Sequence, residues 1–117
     1  MNYAERSNSM INAVSQKVIF AAKDTLGDKL DKVILFGSYA RGDYDSESDI
    51  DFCVLADVPQ EETTQWRRNI NKRIPGIDLE YDMLVSIHVI NSSMFYKHID
   101  VLPFYRTVLT EGVEVNG

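Results

Sequence analysis

The first third of the chain contains a long amphipathic segment followed by a short apolar one. In residues 9–26, apolar residues recur at helical spacing, and these are Met10, Ile11, Val14, Val18, Ala21, Ala22 and Leu26. The pattern predicts a helix that Ser7 or Ser9 caps at its start and Gly27 at its end. Residues 32–36 are mostly apolar after Lys32 and include β-branched side chains, so they predict a buried strand after the helix.

A loop rich in glycine, serine and aspartate separates this strand from a second one. The loop covers residues 37–48 and leads into residues 49–55, whose apolar positions predict a second core strand. After the break at Pro59, residues 61–74 carry Trp66, Ile70 and Ile74 at a four-residue spacing. This spacing predicts a second helix with one buried face.

Residues 77–90 alternate between acidic and apolar side chains over their first half and predict a long third strand. On such a strand two sets of side chains lie on opposite faces, with Asp78, Glu80 and Asp82 on one and Leu79, Tyr81 and Met83 on the other. The alternation implies that one face is in contact with water. A short helix after residues 91–93 and a last helix over residues 103–110 complete the prediction.

The composition predicts one small domain, residues 1–117. Of the 117 residues, 44% are hydrophobic and 10% aromatic, which is typical of a folded protein. No apolar run approaches the roughly 20 residues that a membrane-spanning helix needs. The N-terminus does not resemble a signal peptide, and the single cysteine, Cys53, excludes an internal disulfide. We therefore expect a cytoplasmic protein.

The net charge and the side chains available as metal ligands exclude further classes of function. The net charge of −6 disfavours extended binding to nucleic acid, because such affinity comes largely from Lys and Arg. One cysteine and the two histidines, His88 and His98, are too few for a structural zinc site. We expect Cys53 in the core, His88 on a half-buried strand and His98 on the surface, none of them catalytic. Any metal would be held by carboxylate oxygen, which suits Mg²⁺ or Mn²⁺.

The candidate chemistry is concentrated in residues 37–51, where three features combine. Gly37 and Ser38 directly follow a strand, so backbone N–H groups and a hydroxyl can approach a phosphate there. Asp49 and Asp51 are two apart on the next strand, so both carboxylates project from one face. Adjacent like charges are tolerated best with a divalent cation between them. The loop between the strands brings both pairs to one end of the sheet, as a metal-bridged triphosphate requires.

This segment resembles the signature of the DNA polymerase β-like nucleotidyltransferase superfamily, in which Gly-Ser is followed after ten residues by Asp-x-Asp. Here Gly37-Ser38 and Asp49-Ile50-Asp51 match it, with residues 39–48 between them. The flanking Ala40-Arg41-Gly42 and the Ser48 before Asp49 are similar to the minimal nucleotidyltransferases, which commonly act as antitoxins beside a HEPN-type toxin. The resemblance implies an α+β fold of two layers, a small mixed β-sheet with helices packed on one face.

The resemblance also implies a reaction. A nucleophile attacks the α-phosphorus of a nucleoside triphosphate and pyrophosphate leaves, at two Mg²⁺ ions that Asp49 and Asp51 would bridge. Gly37 and Ser38 would bind the β- and γ-phosphates. Arg41 would either reach a phosphate oxygen or pair with one of the nearby acids, Asp43 or Asp45.

Superfamily members with full activity carry a third carboxylate on a neighbouring strand. Asp78, Glu80 and Asp82 share one face of the predicted third strand, so parity does not choose among them, and a bulge would change the answer. We favour Asp82 as catalytic residue and metal ligand, because the apolar residues 83–85 place it near the buried part of the sheet. If none of the three reaches the metal, the site would be catalytically poor.

The leading hypothesis is a Mg²⁺-dependent enzyme that transfers AMP from ATP to a protein hydroxyl, with a HEPN-type toxin as acceptor and partner. The acceptor rests on the resemblance alone. One alternative is a nucleotide-binding module that neutralises a partner by binding, and another is a transferase acting on a small molecule such as an aminoglycoside. The aromatic segment of residues 95–115 would suit a partner or a homodimer.

Overall fold

Four strands form one mixed sheet in the computed structural model, which describes residues 3–45 and 49–116. The strands are β1 (Leu30–Phe36), β2 (Ile50–Ala56), β3 (Val85–Asn91) and β4 (Val113–Glu114). They lie in the order β3-β2-β1-β4. β1 pairs antiparallel with β2 and β4, whereas β2 and β3 run parallel. β1 and β2 confirm the two predicted core strands.

The N-terminal helix α1 (Tyr3–Leu26) is longer than predicted. Its apolar stripe is buried, with Val14, Val18, Ala21 and Ala22 fully inaccessible to solvent. The helix extends towards the N-terminus because residues 3–8 include no glycine or proline, so the serines proposed as caps lie inside it. The predicted end at Gly27 is confirmed, since this residue has a φ of +55°.

Helices cover both faces of the sheet. α1 and α3 (Thr63–Asn71) pack on one face, where α3 contributes Ile70 to the larger part of the core. On the other face, α5 (Ser92–Lys97) and α6 (Pro103–Glu111) contribute Phe95 and Val108 to a smaller cluster with Cys53. The predicted mixed sheet with packed helices is confirmed. The prediction of helices on one face did not include this second layer.

The second helical layer follows from the strands themselves. Residues 33–36 of β1 and 52–56 of β2 are buried without interruption, so each strand has apolar side chains on both faces. A strand that is apolar on both faces needs cover on both sides. The aromatic segment after β3 supplies that cover, and the side chain of Asn91 starts α5 by accepting a hydrogen bond from the amide of Met94 at 2.8 Å.

The prediction of one strand over residues 77–90 is wrong in its first half. Residues Ile77–Tyr81 form a short helix, α4, and the strand begins only at Val85. In a helix, residues two apart point to opposite sides, and accordingly Ile77 is buried whereas Leu79 is 90% exposed. Gly76, with a φ of +76°, turns the chain into α4, and Glu80 is held by Lys17 of α1 at 2.8 Å. The alternating pattern therefore belongs to a helical turn.

The remaining boundaries shift by a few residues. α3 ends at Asn71, before the predicted end at residue 74, and a turn of 3₁₀ helix, Gln60–Glu62, precedes it. α6 confirms the predicted last helix, with Pro103 in its first turn. Within the described residues, no helix is both long enough and apolar enough to cross a membrane.

Candidate active site

The turn after β1 is built around Gly37. This residue has φ +79° and ψ −157°, a region of backbone conformation that is essentially restricted to glycine. The amides of Ala40 and Arg41 both donate to its carbonyl at 3.1 Å and close a single helical turn, α2 (Ser38–Arg41). Gly42, at φ +87°, ends this turn. Ser38 thus opens a short helical turn directly after β1.

Asp51 lies directly against this turn. In the antiparallel pair, Asp51 of β2 is opposite Phe36, the residue before Gly37. A Cβ atom placed on Gly37 would lie 2.8 Å from the Oδ2 atom of Asp51. Only a residue without a side chain leaves room for the carboxylate here, so Gly37 and Asp51 form one structural unit.

Asp49 and Asp51 differ in their surroundings. Asp49 is exposed and precedes β2, whereas the Asp51 side chain is 27% exposed. Burial raises the pKa of Asp51 above its usual value, an effect that His88 opposes and the negative charge of Asp49 reinforces. The charged form of Asp51 is therefore less stable here than in water, and a cation beside it would stabilise it. Ser48, the remaining member of the motif, lies outside the described residues.

β3 brings a residue to the site that the sequence analysis did not assign to it. Parallel pairing aligns Asp51 with Ser86 and Cys53 with His88, so both β3 side chains share the face of Asp51. The Nε2 atom of His88 lies 4.0 Å from the Oδ1 atom of Asp51, and its ring contacts Phe36 and Phe104. The sequence shows that Ser86 and His88 lie on the same face of one strand. It does not show that this strand pairs in parallel with β2, and only that pairing brings the two residues to Asp51.

Comparison with known proteins identifies the family. A model of the nucleotidyltransferase domain matches residues 17–114. The chain belongs to the nucleotidyltransferase domain family. Two similar proteins of Methanocaldococcus jannaschii bear the names "Putative protein adenylyltransferase MJ0141" and "Putative protein adenylyltransferase MJ0604". The first is 44% identical over 90 residues, which cover 77% of this chain and 83% of the relative. The second is 34% identical over 97 residues, which cover 83% and 89%.

Solved structures show the same fold at lower sequence identity. A Sulfolobus solfataricus protein assigned to the nucleotidyltransferases superposes with a TM-score of 0.62 at 24% identity, over 95% of this chain and 83% of that one. A toxin–antitoxin complex with AMP-PNP contains a chain that superposes with a TM-score of 0.52 at 22% identity, over 86% and 70%. The resemblance to the nucleotidyltransferases and the fold class are confirmed, and the chain belongs to an enzyme family.

Asp82 does not lie where this nucleotidyltransferase would need a third carboxylate. It is the exposed residue after α4, with a φ of +51°, three positions before β3 begins. Within residues 3–45 and 49–116, no three carboxylate, histidine or cysteine side chains come together as a metal site. The structure therefore does not bring Asp82 together with Asp49 and Asp51 as a group of three, because residues 77–81 form α4 and the strand begins only at Val85.

The two remaining acids of the predicted third strand have structural partners. Asp78 accepts a hydrogen bond from the amide of Val85 through Oδ1 at 2.9 Å, and Glu80 pairs with Lys17. Both contacts tie α4 to its neighbours. Neither acid lies on β3, where the residue aligned with Asp51 is Ser86.

Arg41 of this nucleotidyltransferase pairs with acids at the surface. Its Nε atom lies 3.3 Å from Oδ2 of Asp43, and its Nη1 atom lies 3.3 Å from Oε2 of Glu111. Of the two roles left open by the sequence, the ion pair with Asp43 is present. Beside it, the rings of Tyr39 and Tyr44 stack at 4.4 Å with 9° between their planes.

The donor set fits a magnesium ion that arrives with its nucleotide. Mg²⁺ in proteins commonly takes one or two carboxylates and completes its octahedral shell with water and phosphate oxygens. Asp49 and Asp51 supply two carboxylates, and the turn at Gly37 directly adjoins Asp51. The protein oxygens alone are too few, so the triphosphate would contribute the remaining ligands.

Proposed function

We propose that this nucleotidyltransferase transfers AMP from ATP to a hydroxyl group of a protein and releases pyrophosphate. The observation that carries the proposal is the contact between the Gly37 turn and the Asp51 carboxylate, because it joins a phosphate-binding backbone to a metal ligand. The names of the two Methanocaldococcus jannaschii relatives support a protein acceptor. The match to this chain covers most of each relative, 83% of the first and 89% of the second.

Each residue of the site has a role in this reaction. Gly37 and Ser38 would hold the β- and γ-phosphates through backbone amides and the hydroxyl, and Asp49 and Asp51 would hold two Mg²⁺ ions. When bound, the ions lower the pKa of the attacking hydroxyl and neutralise the leaving group. A bond forms between the acceptor oxygen and the α-phosphorus while the bond to the β-phosphate oxygen breaks. The hydroxyl proton passes to solvent. Arg41 could exchange its acidic partners for a phosphate.

We infer that the acceptor is a HEPN-type toxin and that the chain acts as its antitoxin in the cytoplasm. The similarity of residues 37–51 to the minimal nucleotidyltransferases supports this partner, as does the likeness to a chain of a toxin–antitoxin complex. The C-terminal part also has an apolar surface suited to a partner, with Val101, Leu102, Phe104 and Leu109 between 40% and 68% exposed.

A second candidate function is favoured by one observation, the lack of a third carboxylate beside Asp49 and Asp51 in the described residues. A site with two acids would bind a nucleotide with its metal but accelerate transfer poorly. The chain would then neutralise its partner by binding alone.

Label transfer separates the two functions. The protein, Mg²⁺ and a lysate of its source cell would receive ATP labelled at the α- or the γ-phosphate. We expect label on a protein from the α-phosphate alone. Replacing Asp51 by Asn should lower the transfer on the order of a thousandfold, because a metal ligand contributes several kcal/mol. The matched control is Asp57→Asn, an exposed acid just beyond the other end of β2, which should leave transfer unchanged.

Undiminished transfer in the Asp51→Asn protein would refute the mechanism, and label from the γ-phosphate would indicate a kinase. Absence of any label, with toxin neutralisation preserved in the Asp49→Asn/Asp51→Asn double variant, would establish the binding module instead.

A further inference from the structure

β3 lies at one edge of the sheet, and no other strand of the described residues pairs with its outer side. The amide of Ile50 donates to the carbonyl of Leu84 at 2.9 Å. In a parallel pair, this bond means that the even-numbered residues of β3 exchange hydrogen bonds with β2. The amides of the odd-numbered residues therefore point towards the free edge.

Side chains close this edge at its two ends. The amide of Val85 donates to Asp78 Oδ1 at 2.9 Å, and the amide of Asn91 donates to Gln60 Oε1 at 3.1 Å. Between them, the outward amides of Ile87 and Val89 have no hydrogen-bond partner within the part of the chain that the structure describes. The edge thus has a central opening that one additional strand could pair with.

A groove of about 320 Å³ runs along this opening. α3 forms one wall with Thr64 and Arg67, and α6 forms the other with Phe104 and Tyr105. The strand residues His88, Val89 and Ile90 line it between these walls. An extended chain bound between these walls would lie beside β3 as a fifth strand.

The groove is continuous with the active site through His88. This side chain lines the groove, and its Nε2 atom lies 4.0 Å from Asp51 Oδ1. A chain paired with Ile87 would lie two strand spacings, about 10 Å, from β2, with His88 between it and Asp51. Two further cavities of similar volume lie elsewhere, beside Pro75 and Ile77.

Charge indicates what the bound chain carries. Arg67 is the one cationic side chain of the groove lining, which includes no acid, and it makes no ion pair among the described residues. A cation without a partner in a groove with aromatic and hydroxyl side chains favours an acidic residue on the ligand.

We propose that an extended peptide segment of the acceptor protein binds along the free edge of β3, between α3 and α6, and presents its hydroxyl to the site beside Asp51. The amides of Ile87 and Val89 donate to its carbonyls, and Arg67 binds an acidic residue near the acceptor hydroxyl. This inference rests on the proposed function, for which it names the acceptor-binding surface.

Amide hydrogen exchange followed by NMR tests the pairing directly. The probe is a short synthetic peptide of alternating valine and threonine with one tyrosine and one glutamate, titrated to millimolar concentration. Exchange at Ile87 and Val89 should slow at least about tenfold, as expected for amides that gain strand hydrogen bonds. The same peptide with alternate backbone amides N-methylated should bind without this protection or fail to bind.

A matched pair of arginines tests the charge. Arg67→Ala should weaken peptide binding about tenfold, because a hydrogen bond to a charged group is lost. Arg68→Ala, on the same helix but outside the groove lining, should leave it unchanged. Equal effects of the two variants, no binding of the peptide, or peptide binding without protection of Ile87 and Val89 would overturn the inference. Protection that grows with protein concentration in the absence of peptide would overturn it in favour of a second copy.

The outcome is separable from that of the proposed function. If a peptide protects the two amides but receives no label from the α-phosphate, the peptide-binding groove is supported and the proposed activity is contradicted. If the peptide receives label but the two amides are not protected, the proposed activity is supported and the peptide-binding groove is contradicted.

Discussion

Two features of the structure require glycine at position 37, the backbone conformation and the contact with Asp51, whereas only the backbone conformation requires it at position 42. Both residues have positive φ angles, +79° and +87°. A side chain on Gly37 would also displace Asp51 Oδ2, while a Cβ atom on Gly42 would meet no atom of the described residues within 4 Å. The two positions therefore separate backbone strain from the loss of a functional contact.

The pair Gly37→Ala and Gly42→Ala should show this difference. Each variant should lose roughly 1–3 kcal/mol of stability from the strained backbone. Only Gly37→Ala should also abolish nucleotide binding, because its Cβ atom moves the Asp51 carboxylate. Chemical denaturation and titration with an ATP analogue measure the two effects. Equal nucleotide affinity in both variants would contradict the assigned role of Gly37.

The Asp51 carboxylate should destabilise the free protein. Its pKa is raised, chiefly by burial, so the folded state holds the proton more tightly than the unfolded state does. The stability that this proton confers is present below the unfolded pKa of about 3.9 and is lost as the pH rises through the folded value. At neutral pH, Asp51→Asn should therefore raise the melting temperature of the protein free of metal and nucleotide.

The difference in melting temperature between Asp51→Asn and the natural protein should vanish towards pH 3, where both side chains are neutral. Thermal unfolding across this range is the measurement. A variant that is less stable than the natural protein at pH 7 would show that the site does not hold an unfavourable charge.

At the scale of elements, the segment over residues 77–81 separates what periodicity can predict from what it cannot. Apolar residues at 77, 79, 81 and 83 fit a strand by alternation, but those at 77 and 81 also fit one helical face. Five residues are too few for the two periods to diverge. The contact between Glu80 and Lys17 and the turn at Gly76 decide for the helix, and both are tertiary or backbone features.

Alanine substitutions at two apolar residues of this segment test its helical structure. Ile77→Ala should cost about 2–5 kcal/mol, because Ile77 is 6% exposed and packs in the core. Leu79→Ala should change stability by less than about 0.5 kcal/mol, because Leu79 is 90% exposed. A strand would bury both side chains on the same face, so similar losses measured by urea denaturation would contradict the helix.

At the scale of the whole molecule, the site draws on three strands and one turn, and its protein ligands are incomplete without nucleotide. The chain has a net charge of −6, and the charge of Asp49 acts on the Asp51 carboxylate. Triphosphate alone would be repelled by this charge. Metal and nucleotide should therefore bind together.

Mn²⁺ titrations followed by electron paramagnetic resonance should show this coupling. A non-hydrolysable ATP analogue should raise the affinity for Mn²⁺ at least about tenfold, after correction for metal bound by free nucleotide, and Mn²⁺ should raise the affinity for the analogue by the same factor. Asp51→Asn should remove the coupling. Tight Mn²⁺ binding by the protein alone would instead reveal a third protein ligand.

The sequence by itself determined the parts of this protein that depend on neighbouring residues. The Gly37-Ser38 turn, the acids at Asp49 and Asp51, the two core strands and most helices follow from local pattern and spacing. The tertiary structure decided the parallel pairing of β3 with β2, the approach of His88 to Asp51 and which helices form the second layer. It also separated Asp82 from the site. These features depend on which distant segments pack together, and neither hydrophobic period nor residue spacing carries that information.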